Sequence, residues 1–182
     1  PDVLHHWHQQ FYDHDLKWCL AIVGKKELDF RYSVLQLVVG LRHFKSSVSK
    51  LKQQVTGWAQ RDLQHYIIGV IAGAAAPSFI IAICALSDFC YLSQSPIISK
   101  ATREKIKNAL QEFHDHKKTI IDLGACHGEK NCPLKHWHIP KLELMQSVVP
   151  SIAAVGSLLQ WSADTTEHAH IAIIKDPAEA TN

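Results

Sequence analysis

The chain has no internal repeat and no low-complexity tract, which sets aside solenoid, fibrous and tail-like architectures. It has little net charge: 19 Lys and Arg against 17 Asp and Glu leave +2. So small an excess neither requires nor excludes a nucleic-acid partner. Its five cysteines, Cys19, Cys84, Cys90, Cys126 and Cys132, form no regular framework, and no basic-then-apolar segment opens the chain. The expectation is reduced thiols in an intracellular compartment. No methionine stands first, and helical patterning begins at once after Pro1. That reads as a portion of a longer protein, in which an active site would be incomplete.

What is present suits one ordinary domain with room for a subdomain: 182 residues, 47% of them hydrophobic. Leu4, Trp7, Phe11, Trp18 and Ile22 keep helical spacing, broken at His14 and Asp15, and predict a helix ending near Gly24. Phe30, Tyr32, Val34 and Val38 alternate, which predicts an extended segment. From Arg61, the set Leu63, Tyr66, Ile67, Val70, Ile71 and Ala74 predicts a helix that Pro77 stops. A second helix is expected from Ser78 to about Leu92, making a helical hairpin. A long helix should follow from about Ser99 to Leu123, capped by Gly124, then a loop over 124–138. Pro140 should open another helix, kinked at Pro150 and ended by Gly156, and "SLLQWSA" reads as a short strand. The fold class is mainly α. It divides into 1–60 (a helix plus an irregular or extended linker), 61–138 (a helical subdomain and polar loop) and 139–182 (C-terminal helices).

Five constellations could carry chemistry. Residues 67–86 hold no charge, and twenty helical residues rise about 30 Å, enough to cross a bilayer core. Pro77 at the centre and the amphipathic run before it favour two buried helices instead. Cys126, Cys132, His136 and His138 are soft zinc ligands, but their spacing departs from that of common structural sites, and a polar loop is the simpler reading. His5, His8 and Asp15 share a helix face and could hold a metal; capping or interface hydrogen bonds are the simpler account. Arg42, Lys45, Lys50, Lys52 and Arg61 concentrate positive charge that could neutralise phosphates, or form a solvated face. In "DTTEHAH", Asp164 and Glu167 fit a capping box, and a carboxylate there could also ligate a divalent cation.

The stretches "LHHWHQQFYDHDLKWC", "RHFKSSVSKLKQQVTG", "FHDHKKTIIDLGA", "IPKLELMQSVVPSI" and "WSADTTEHAHIAIIKDPA" occur in this order. Together they closely resemble the C-terminal half of Plavaka-type transposases, fungal DNA transposons of the CACTA-like assemblage. The resemblance covers nearly the whole chain. It implies a nuclear DDE transposase with an RNase H-like core, in which acidic residues hold two Mg2+ or Mn2+ ions for phosphodiester cleavage and strand transfer. The helices of 61–123 would be an insertion before the last core helix. Related sequences end in T-E-x-x-E-R-x-H-I, matched here by Ala163, Asp164, Glu167, His168 and His170. Glu167, or else Asp164, is then the candidate last metal ligand, and the Arg42–Arg61 cations are the candidate contacts to transposon-end DNA. The chain departs from the family at Trp58, at about Ile80 or Ile81, and at Cys84, where basic residues are usual, at Gln53-Gln54, where one glutamine is usual, and in the loop at Gly128–Asn131. This implies an eroded copy that catalyses nothing alone and needs no cofactor by itself. Two other readings stay open: a non-catalytic helical module that binds DNA or another subunit, with self-association, and a small membrane protein built on 66–86.

Overall fold

The computed structural model describes residues 7–36, 38–45, 47–51, 57–128, 132–160, 169–175 and 177–178. Among them it is mainly helical, with eight α-helices and no strand; one isolated antiparallel bridge joins His127 and Pro133. One cluster of buried side chains runs from Trp7 to Leu158.

The first helical run contains a wide π turn, Phe11–Asp15, which passes directly into α1, Leu16–Val23. Its mark is the Leu16 N–H donating to the Phe11 carbonyl. The extra residue in this turn lets Asp15 and Leu16 both face inward. This is where the apolar spacing of the sequence breaks. Gly24, at φ 89°, ends α1, as its position predicts.

Residues 25–33 are helical, not extended: α2 spans Lys25–Ser33. The alternating pattern misleads because it places Phe30 and Tyr32 on one face. In the fold Leu28 and Tyr32, four apart, are fully buried, while Phe30 is 60% exposed. The Tyr32 hydroxyl donates to the Leu63 carbonyl at 2.8 Å. Arg31 lies over the end of the next helix and donates to the carbonyls of Val70 and Ala72. Those carbonyls have no partner further along that helix, so the guanidinium acts as a cap.

α3 runs Gly57–Ile71 and buries Leu63, Ile67, Val70 and Ile71. It ends five residues before α4, ahead of the proline expected to stop it, in a turn where Gly73 takes φ 71°. Pro77 is instead the first residue of α4, Pro77–Ser93, where its missing N–H costs nothing. The apolar stretch is therefore two helices. No helix among the described residues is long and apolar enough to cross a membrane.

α4 is buried on several faces at once: Phe79, Ala82, Ile83, Ala85, Leu86, Phe89 and Cys90 are all inside. It packs along α5, Lys100–His116, more extensively than against any other element. It also meets the first helical run, where Trp7 and Phe89 make an edge-to-face pair. α5 is one-faced and buries Ile106, Ala109 and Phe113. Ser99 caps it by accepting the Thr102 N–H at 3.0 Å.

The helix expected to reach Leu123 unbroken is interrupted at Lys117, before α6, Lys118–Asp122. The tighter bond from the Ile120 N–H to the Lys117 carbonyl marks the joint. Beyond it Gly124, at φ 69°, completes a Schellman ending: its N–H donates to Ile121, and that of Ala125 to Ile120.

α7, Pro140–Met145, opens with proline as predicted. Pro150 does not kink a helix. The break falls at residues 146–147, and Pro150 sits in the first turn of α8, Val148–Val155, where no intrahelical N–H is lost. Gly156, at φ 91°, ends α8. Within the expected strand, Leu158–Gln160 form a 3-10 turn with Leu158 inserted into the core, and residues 161–163 lie outside the described residues.

Candidate nucleic-acid interface

The basic stretch after α2 is held from below by two carboxylates. Asp29, on α2, accepts the Ser47 hydroxyl, the Ser49 N–H at 2.8 Å and the Ser49 hydroxyl at 2.7 Å. Partial burial works to raise the Asp29 pKa; the hydrogen bonds from Ser47 and Ser49 outweigh it and hold the carboxyl below its ordinary value. Asp62, on α3, accepts the Arg42 N–H at 3.2 Å. Its other oxygen lies 3.8 Å from the Arg61 guanidinium. Asp62 thus draws Arg42 and Arg61 to one place.

Apolar side chains complete the attachment. Phe44 is buried edge-on against Tyr32, with ring centroids 5.8 Å apart, and the Arg42 guanidinium stands 5.8 Å from the Phe44 centroid. Val48, in a 3-10 turn Val48–Lys50, is buried. The Tyr12 hydroxyl donates to the Leu51 carbonyl at 2.8 Å. Arg42, Lys45 and Lys50 face solvent. Arg61 is half-buried beside Asp62, and Lys52 lies outside the described residues.

The other sequence candidates are dispersed. Cys126 is buried, and burial pushes its thiol pKa up, whereas Cys132 is exposed. His136 and His138 stack on each other with centroids 4.5 Å apart. His8 is buried with Nδ1 2.9 Å from Gln64 Oε1, while Asp15 has Gln10 for its partner at 3.4 Å, and His5 lies outside the described residues. Burial drives the Asp15 pKa well up, only partly offset by the Gln10 amide. No group of three or more His, Cys, Asp or Glu among the described residues could hold a metal ion. Asp164 and Glu167 lie outside the described residues.

A groove of about 370 Å³ opens between the end of α5, the loop before α7, and α7 itself, lined by His114, Lys117, Trp137, His138 and Glu143 among others. Its cation is engaged: Lys117 Nζ lies 3.0 Å from His114 Nδ1 and 5.6 Å from the Trp137 ring centroid. Burial first, then the Lys117 charge, hold the His114 pKa below its ordinary value, against the pull of Asp115.

Sequence reasoning missed Asp29 and Asp62, the residues that orient the basic stretch. Their partners stand eighteen to twenty positions away, and no local pattern announces such pairs. Comparisons with protein-family models, curated proteins and solved structures gave no match to this chain.

Proposed function

We propose that this chain is a DNA-contacting helical module of a Plavaka-type DDE transposase and has no catalysis of its own. The observation that carries the reading is the stretch from Arg42 to Lys50, in which Phe44, Ser47, Val48 and Ser49 are anchored while its three cations face outward. Cations fixed in this way neutralise phosphates without reading base sequence. The order of the transposase-like stretches supports the same partner, transposon-end DNA, and a nuclear location.

In the complete enzyme the helices from α3 to α6 would form an insertion in an RNase H-like core. Glu167, or else Asp164, would be the last ligand for Mg2+ or Mn2+ there, and the ions would supply the activation of the attacking oxygen in strand cleavage and transfer. No catalytic step is assigned to the described residues.

Fluorescence anisotropy of a labelled duplex, titrated with the protein across a range of salt, tests the reading. A few phosphate contacts predict a log–log salt slope of about −3 to −5, at ~0.9 per contact. An affinity that does not change with salt would return the stretch to a solvated face.

A further inference from the structure

Immediately before the cations stands a different kind of surface. Residues 38–41 make a tight turn closed by the Leu41 N–H on the Val38 carbonyl at 3.2 Å. Gly40 takes φ 84°, the conformation that the third position of a type II turn requires. This places Val39 at the tip, 103% exposed, with Val38 also exposed beside it. A protein gains nothing in its own stability from an aliphatic side chain held wholly in water. The turn is also firmly placed, because Arg42, the next residue after it, is tied through its N–H to Asp62 on α3. An apolar tip is therefore followed at once by Arg42 and Lys45, both facing solvent.

We propose that the Val38–Val39 turn is a wedge that enters a DNA groove and partly unstacks a base step while Arg42, Lys45 and Lys50 hold the flanking phosphates. This rests on the DNA-binding reading above and deepens it. Charge complementarity selects the occupant: the cations bordering the tip call for a polyanion, and a duplex offers an apolar interior between its stacked bases a short distance from its phosphates. Proteins that bend DNA use apolar side chains in this way, and flexible TA and CA steps yield most readily. The wedge adds no readout of hydrogen-bonding groups, so the preference it creates is for deformable steps, not for a base sequence.

The test uses the whole chain and a duplex carrying a fluorescent adenine analogue at a central TA step, whose emission rises when the base unstacks. Binding of the native protein should raise the emission. Val39→Ser should abolish that rise and weaken binding by about tenfold, the value of one valine side chain withdrawn from water, while leaving the salt slope unchanged. Val39→Leu should keep the rise. Because the Val39 side chain is wholly exposed, neither variant should alter thermal unfolding. Salt-dependent binding by the native protein with no change in emission would overturn the wedge and leave the DNA reading intact. Absence of salt-dependent binding would overturn both. If Val39→Ser instead removed self-association, or binding to vesicles of anionic lipid, the turn would belong to a second copy or to a membrane surface, and the proposal would fail.

Discussion

In the stretch 42–50, Phe44 and Val48 point into the core and three cations stay in water. In the loop 132–139 the arrangement is reversed. Trp137 packs edge-on against Trp18 and Phe113, the nearby Lys117 is drawn over its ring, and the two exposed histidines stack on each other. Both segments are polar connections with basic and aromatic residues interleaved. In the first, carboxylates hold the backbone, and Lys45 and Lys50 stay in water while the exposed Arg42 guanidinium stands near the Phe44 ring. In the second, charged and aromatic groups satisfy one another around the groove. What decides whether a basic connection can meet an external anion is therefore the fate of its side-chain tips, not its composition.

The largest difference should come from removing the anchor of the second segment. Trp137→Ala deletes two edge-to-face ring pairs and should cost about 3 kcal/mol in denaturant unfolding. It should leave the salt slope of DNA binding as it was. A reduced slope would show that the two regions are one surface.

Asp29→Ala should cost less, about 1–2 kcal/mol, because it strips three hydrogen bonds from a partly exposed carboxylate. Unlike Trp137→Ala, it should also weaken duplex binding, since the cations lose their fixed base. Unchanged binding in this variant would mean that the backbone attachment is irrelevant to the interface.

The two regions should also separate in pH. The His114 pKa is lowered in the fold, so the unfolded chain takes up its proton first; stability is lost as pH falls from about 6.5, the ordinary histidine value, towards the folded value. The Asp29 pKa is lowered too, and its contribution is present above about 3.9 and lost as pH falls through the folded value. Urea midpoints against pH should lose a near-neutral step in His114→Asn and an acidic step in Asp29→Asn. Swapped or absent steps would remove this distinction.

The smallest stability effect should belong to Lys45→Glu with Lys50→Glu. Both side chains are exposed, so unfolding should shift within about 0.5 kcal/mol while DNA binding falls. A large loss of stability would mean that these lysines serve the fold.

Much of the helical plan was legible because it rests on local signals. Gly24, Gly124 and Gly156 end helices, Pro140 opens one, and the stripe of Ile106, Leu110 and Phe113 marks the buried side of α5. The misreadings have different causes. Phe30 and Tyr32 mimic a strand until Tyr32 finds the distant Leu63 carbonyl, whereas Pro150 resembles a kink until the chain breaks just before it and leaves it in a first turn. The cations of the candidate interface were visible as composition, but their outward orientation was not, because Asp29 and Asp62 confer it from other helices.

If these cations meet DNA, each should neutralise about one phosphate. The measurement is the log–log salt slope of duplex binding for the native chain and for the triple variant Arg42→Gln, Lys45→Gln, Lys50→Gln. Three phosphates no longer neutralised, at ~0.9 each, predict a slope smaller in magnitude by about 2.7. An equal slope in the two proteins would contradict the assignment of this surface to DNA.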